Sequence, residues 1–395
     1  MNVQSAIHML PTEEAAKLRG RGPVASKPYY DPEWYELERK AIFMRSWLHI
    51  GHICEIPEPG SFILREVEFA HASLLIVRGK LGEVRAFHNV CTHRGTRLVE
   101  DAEGKRGQFS CPYHMWTYGT DGRLLSAPDF ERFYVKKEDC TLKSVPCEVL
   151  GGFIFINFDP RPRQTLRDFF GPIAEELEAL PSARATHFTE CRYEIAANWK
   201  TNFDNFQENY HLRFIHPRTS AATCWDENPF GYPVAYGFSG PHRSQTLPTN
   251  PNPPPPSPAM LDAYQRIGVI GAREGLVFDK ADFKLFPAFH VVGLAPNQFS
   301  HTMWPLGPDR TRGQVRFYFT SDNDSASKLY AREMTTMTIL DVLCEDRDAI
   351  VSAQKGLASG AVSQVHFQDH EMLPRHLYET VQALVADYQA EQGGA

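Results

Sequence analysis

The spacing of apolar positions changes along the chain, and each change marks a different kind of element. Residues 28–50, P-Y-Y-D-P-E-W-Y-E-L-E-R-K-A-I-F-M-R-S-W-L-H-I, read as an extended lead-in followed by an amphipathic helix. Asp31 is placed to cap that helix and Pro32 to occupy its first position. From Glu55 to Pro160 the apolar runs shorten and take on β-type composition, as in S-L-L-I-V-R-G, V-R-A-F-H-N-V and G-F-I-F-I-N-F. Turn signals at Gly79, Asp121-Gly122 and Gly151-Gly152 separate them. Helical spacing returns after Pro160 in L-R-D-F-F-G-P-I-A-E-E-L-E-A-L, and again between Asn198 and His216. A strand-rich stretch from about Asp282 to Asp322 follows, and two helical segments close the chain.

This order predicts an α+β fold, with an all-β domain ahead of a domain built from helices and antiparallel sheet. The expected boundaries are residues 1–45 for an arm and helix packing on the second domain, 46–160 for the all-β domain and 161–395 for the second. The run P-T-N-P-N-P-P-P-P-S-P, Pro248 to Pro258, can be neither helix nor central strand and is expected to form an exposed polyproline-like loop.

Composition narrows the function classes. A net charge of −7 with acidic and basic residues interspersed leaves no basic stripe, which argues against a nucleic-acid partner. The N-terminus lacks a cationic region followed by an apolar core, and no stretch approaches the roughly 18 apolar residues that span a bilayer. A cytoplasmic protein without membrane contact is expected. Eight cysteines are too few and too scattered for a disulfide framework. Cys54, Cys140, Cys147, Cys191, Cys224 and Cys344 therefore read as reduced packing residues, while the other two belong to a motif.

That motif is C-T-H-(x17)-C-P-Y-H, formed by Cys91, His93, Cys111 and His114. Two thiolates suit one iron of a [2Fe–2S] cluster and two neutral imidazoles suit the other, a mixed ligation that raises the potential above that of an all-cysteine cluster. Zinc also accepts two cysteines and two histidines, but its sites usually space paired ligands by two to five residues, whereas Thr92 alone separates the first pair here. The binuclear cluster is the better fit, and zinc is the rival.

A second constellation lies in N-W-K-T-N-F-D-N-F-Q-E-N-Y-H-L-R-F-I-H-P, Asn198 to Pro217. Continued as one helix, it puts Asp204, Glu208 and His211 on one face. His216 would then point about 140° away from His211. Pro217 disfavours helix at the preceding residue, so the chain can leave the helix near Ile215 and bring His216 back beside His211. Two histidines and one carboxylate with open positions suit a mononuclear Fe(II) that must bind dioxygen. For the carboxylate, helical periodicity over residues 338–357 places Ile339, Leu343, Asp346, Ile350, Ala353 and Leu357 on an apolar stripe, with Asp341, Glu345, Asp348 and Ser352 opposite. A carboxylate buried in an apolar stripe calls for a compensating cation, which singles out Asp346.

Both stretches resemble the large (alpha) subunits of the ring-hydroxylating oxygenases, the Rieske non-haem iron oxygenases. The resemblance rests on C-T-H-R-G, C-P-Y-H-M-W-T-Y-G-T-D-G-R-L and N-W-K followed by Glu208, His211 and His216, and covers nearly the whole chain from about residue 28. Met115 departs from it, since most members have glycine there. The resemblance implies a Rieske domain followed by a catalytic domain of helix-grip type. It also implies a [2Fe–2S] cluster on Cys91, His93, Cys111 and His114, and Fe(II) on His211, His216 and Asp346. In such a terminal oxygenase, electrons pass from an NAD(P)H-dependent reductase or ferredoxin through the cluster to the iron, and O2 is activated to hydroxylate or demethylate a small organic substrate. The relay crosses between subunits of a head-to-tail trimer, which a small beta subunit can complete. His114 would meet a neighbour's Glu208, the bridging carboxylate. Members acting on quaternary ammonium compounds tend to have glutamate at that bridge, and many acting on aromatic compounds have aspartate. Phe230, Phe283, Phe286, Phe289 and Trp304 are candidate pocket walls, able to surround a trimethylammonium group or an aromatic ring. The competing reading is a Rieske electron-transfer protein with a non-catalytic second domain.

Overall fold

In a computed structural model of the chain, the described residues are 8–393 except 218, 220–222, 248–249, 253–256, 267–281, 293–297 and 321–324. Most of the Pro-rich segment thus lies outside the described residues. Two compact units are present, one running from Phe43 to Phe169 and the other combining the residues up to Ile42 with those from Phe170 onward.

The Phe43–Phe169 unit is built of short antiparallel strands, as the β-type runs and their turn signals dictate. Five strands, in the order Ser144–Val145, Val84–His88, Ala72–Arg78, Ser61–Val67 and Glu103–Lys105, form the largest sheet. A second sheet orders Leu124–Ser126, Thr117–Gly119 and Gln108–Ser110, and a third orders Cys147–Leu150, Phe153–Ile156 and Leu48–His52. Alternating inward residues supply a core of Phe62, Leu75, Val77, Phe109, Trp116 and Tyr118. Cys91 and Cys111 are buried against the same core.

The second unit is organised by an eight-stranded antiparallel sheet. Its edge strand Met9–Pro11 comes from the N-terminal arm, followed in space by Ala235–Ser239, His242–Thr246, Asp282–Leu285, Phe289–Val292, Phe299–Gly307, Arg310–Phe319 and His187–Ile195. Asp31 caps the helix Pro32–Glu38 by accepting from the Glu33 amide at 3.0 Å, with Pro32 in the first turn. Register assigns the two faces of the sheet. Lys284 pairs with His290 and His290 with His301, so these share a face. Tyr193 joins them through its hydroxyl, 2.7 Å from His301 Nε2. This face looks toward the helix Trp199–Asn205, because Asn202 Nδ2 donates to the Tyr193 oxygen at 3.2 Å.

The expected aromatic walls do not lie there. Phe283 pairs with Val291, Phe289 with Thr302, and Trp304 with Arg312, all on the opposite face of the sheet. The strand period of two decides this, since neighbours of inward-facing Lys284, His290 and Met303 must point away. Phe286 lies in the turn after its strand, and Phe230 sits in a surface cluster with Tyr210, Phe214 and Tyr232.

Candidate metal centres

The two cysteine–histidine loops of the first unit are one turn used twice. The Cys91 amide donates to Thr96 O at 2.8 Å and Gly95 N to Cys91 O at 3.0 Å. The Cys111 amide donates to Trp116 O at 2.8 Å and Met115 N to Cys111 O at 3.0 Å. The fourth residue after each cysteine is left-handed, Gly95 with φ of 79° and Met115 with φ of 58°. In the first loop glycine adopts this without a steric penalty; in the second a methionine does so and exposes its side chain.

These turns bring the four motif residues together. The His93 and His114 rings are 4.6 Å apart, and His93 stacks on Trp116 at 4.9 Å with 11° between planes. Burial, with His114 and Arg94 nearby, holds His93 below its ordinary pKa, which keeps the imidazole neutral as a metal ligand requires. His93 Nδ1 is buried with no hydrogen-bond partner. Burial also pushes the Cys91 thiol up, so a thiolate there needs a cation. The donor set and the unpartnered ring nitrogen both fit a bound cluster. Tyr118 was not anticipated from the sequence: its hydroxyl lies 3.2 Å from Cys91 Sγ and 2.9 Å from Thr92 Oγ1, while the Thr92 amide donates to it.

In the second unit the stretch from Asn198 to His216 is not one helix. Trp199–Asn205 is helical, Phe206 ends it, and a second short helix runs Leu212–Ile215. Glu208 explains the break, because its Oε2 accepts from the backbone amides of Tyr210 and His211 and so competes with the helical pattern. Asp204 therefore does not share a face with Glu208 and His211. It lies half-buried against Tyr29 instead, whose hydroxyl donates to it at 2.8 Å, and desolvation pushes its carboxyl up to about 7. The chain does leave the helix after Ile215, ahead of Pro217, and His216 turns back so that its ring lies 5.2 Å from that of His211.

The long helix Ala326–Ala358 brings up the carboxylate. Asp346 is buried, as its place on the apolar stripe requires, although the stripe continues through Ile350 to Gln354 and leaves Ala353 exposed. Asp346 Oδ1 lies 2.9 Å from His216 Nε2 and 3.5 Å from His211 Nε2. One ligand atom from each of these three residues falls within 4.8 Å of the others. Each imidazole is fixed from behind: His211 Nδ1 by Glu208 Oε1, and His216 Nδ1 by Glu345 Oε2 at 2.8 Å. A proton held on Nδ1 leaves Nε2 with its lone pair turned to the centre. Glu345, read from the sequence as part of the polar face, also accepts from Thr219 Oγ1 at 3.0 Å. Burial opposes charge on His216, but Asp346 and Glu345 outweigh it and hold the ring above its ordinary pKa. Asp346 Oδ1 and His216 Nε2 are buried, unaligned as donor and acceptor, and without other partners. That is the signature of atoms placed for a shared cation.

Comparison with known proteins agrees with this division. Residues 46–146 match the Rieske [2Fe-2S] domain, and residues 182–387 match the ring hydroxylating alpha subunit (catalytic domain). The chain is 35% identical over 226 residues to the glycine betaine monooxygenase oxygenase subunit of Pseudomonas aeruginosa, covering 55% of this chain and 52% of that one. It is 31% identical over 242 residues to the carnitine monooxygenase oxygenase subunit of Escherichia coli, covering 59% and 63%. The matched part thus spans about half to just under two thirds of these relatives. A crystal structure of a quaternary ammonium Rieske monooxygenase shares the fold, with a TM-score of 0.74 over 96% of this chain and 99% of that one at 23% identity. The chain belongs to the ring-hydroxylating alpha-subunit family, with a Rieske [2Fe–2S] domain ahead of the family's catalytic domain.

Proposed function

We propose that the protein is a terminal oxygenase component acting on a small quaternary ammonium compound. The observation that carries the oxygenase reading is the convergence of His211, His216 and Asp346 within 4.8 Å of one another in the same chain as the Rieske loops. An electron carrier with an inert second domain has no use for that site. The two domain types carry a [2Fe–2S] cluster and a mononuclear iron. Cys91, His93, Cys111 and His114 would hold the first, and His211, His216 and Asp346 the second. When bound, the two centres supply electrons and O2 activation respectively. Glu208 and Glu345 hold the protons on the two Nδ1 atoms, and Tyr118 hydrogen-bonds at the Cys91 sulfur.

The substrate class rests on two kinds of support. The curated relatives above oxidise glycine betaine and carnitine, and the sheet face toward the helix Trp199–Asn205 carries Lys284, His290, His301 and the Tyr193 hydroxyl. An aromatic hydrocarbon would leave the unpartnered Nδ1 of His301 unsatisfied. An NAD(P)H-dependent reductase, directly or through a ferredoxin, would feed the cluster. Tyr113 and Met115, both 57% exposed, flank His114 on one unit, while Tyr210 and Phe214, 47% and 65% exposed, flank the Glu208–His211 turn on the other. We assign these two apolar patches to each other across a head-to-tail trimer, with Glu208 bridging His211 and a neighbour's His114. The test is product formation coupled to O2 uptake with a surrogate reductase, across glycine betaine, carnitine and benzoate-type aromatics. Turnover of aromatics alone would overturn the substrate class, and reduction of the cluster without O2 consumption on any compound would overturn the oxygenase reading.

A further inference from the structure

His301 lies on the polar sheet face and is fully buried. Its Nε2 is 2.7 Å from the Tyr193 hydroxyl, and that oxygen already accepts from Asn202 Nδ2. The phenol has one proton to give, and His301 Nε2 receives it. Burial, with His290 and Lys284 nearby, holds the imidazole well below its ordinary pKa, so the ring is neutral. A neutral imidazole that accepts at Nε2 carries its hydrogen on Nδ1. That Nδ1 is buried and has no acceptor.

The unpartnered donor is not alone. Asn205 Nδ2 and Arg243 Nη2 are further buried donors without acceptors. Asn205 belongs to the helix that leads into the metal-site turn, and Arg243 pairs with Lys284 on the same sheet face. The acidic side chain of this face, Asp282, is already held at 2.6 Å by both Lys284 and His290. Tyr193 feels the charge of Asp346, so the group that orients His301 stands near the proposed iron site. Buried donors without acceptors are rare in folded proteins unless a ligand or water completes them.

We propose that His301 is a specificity-determining residue that donates from Nδ1 to a carboxylate oxygen of the substrate, with Tyr193 as the positioning residue that fixes its tautomer. This rests on the quaternary ammonium reading and narrows it. The substrate is a zwitterion, its carboxylate anchored on the sheet and its trimethylammonium end left for the metal site.

Equilibrium binding tests this without turnover. Glycine betaine and ethyltrimethylammonium, which has the cation but no carboxylate, are titrated by calorimetry into the anaerobic, metal-replete protein. Wild type is expected to prefer glycine betaine. His301→Leu should weaken glycine betaine about tenfold or more, the loss of one hydrogen bond to a charged group, while leaving ethyltrimethylammonium within about twofold. His301→Asn, whose amide can donate from a similar place, should recover most of the affinity. Should His301→Leu fold poorly, as judged by the cluster's visible spectrum and iron content, Tyr193→Phe should give the same selective loss in weaker form. A His301→Leu protein that keeps the wild-type preference, or that weakens both compounds alike, overturns the role of His301. A wild type that binds neither compound overturns the substrate reading beneath it.

Discussion

Met115 holds a backbone conformation that its own side chain disfavours. Left-handed φ costs an L-residue roughly 1–2 kcal/mol, and glycine's extra chain entropy offsets about 0.5–1 of that gain on replacement. Met115→Gly is therefore expected to keep its cluster to higher temperature, by a stabilisation of about 1 kcal/mol, followed as loss of visible absorbance on heating. A lower temperature of cluster loss would mean that the methionine side chain contributes more at the surface than its backbone costs. Tyr118 acts on the same loops through chemistry rather than conformation. A hydrogen bond to a cluster sulfur favours the reduced form, so Tyr118→Phe should lower the midpoint potential. One hydrogen bond of about 1 kcal/mol corresponds to about 40 mV for a one-electron couple. Redox titration followed by the visible spectrum reads this directly. An unchanged potential would assign the phenolic proton to Thr92 Oγ1 instead.

The helix Ala326–Ala358 carries two adjacent carboxylates with different tasks. Asp346 is buried and points between the two imidazole Nε2 atoms, whereas Glu345 stands behind His216. Asp346→Ala should reduce bound iron from about three atoms per chain to about two and leave the cluster spectrum unchanged. Glu345→Ala should keep the iron but weaken its binding about 10- to 100-fold, as loss of a group orienting a ligand does. Metal analysis after graded chelator treatment separates the two, and the reverse order of losses would exchange their roles. The position of Asp346 was legible because helical period and burial cost act within one element. His216 was legible for the same local reason, Pro217 after it. The task of Glu345 was not, since it depends on a segment 129 residues earlier packing against this helix. The break at Phe206 escaped because Glu208 satisfies its own neighbours' amides, a competition that apolar periodicity does not record. The sheet face of Phe283, Phe289 and Trp304 was not legible for a third reason. Alternation is visible along a strand, but which set faces the metal-site helix is decided by pairing with strands far away in sequence.

At the scale of the whole molecule, the arrangement of exposed groups predicts where electrons cross. Tyr113 and Met115 beside His114, and Tyr210 and Phe214 beside Glu208, are large apolar side chains left in solvent on two separate units. Exposed apolar patches mark interaction sites. If they meet between copies in a head-to-tail ring, each copy's cluster serves its neighbour's iron, and the two centres need not be intact in the same chain. A cluster-free variant, Cys91→Ser with Cys111→Ser, and an iron-free variant, Asp346→Ala, should each be inactive alone. Co-expressed in equal amounts and assembled at random, about a quarter of the junctions join an intact cluster to an intact iron site, so activity should return to about a quarter of wild type. Carrying Glu208→Ala on the cluster-free chain should abolish that recovery, because the bridging carboxylate belongs to the chain that keeps its iron site. Carried on the iron-free chain, the same substitution should leave the recovery intact. Activity is read as O2-coupled product per chain in the unselected co-expressed protein, with tags on both chains to verify that mixed assemblies are present. No recovery in a verified mixed assembly would place the relay within one chain, and equal sensitivity to Glu208→Ala on either chain would remove Glu208 from the junction.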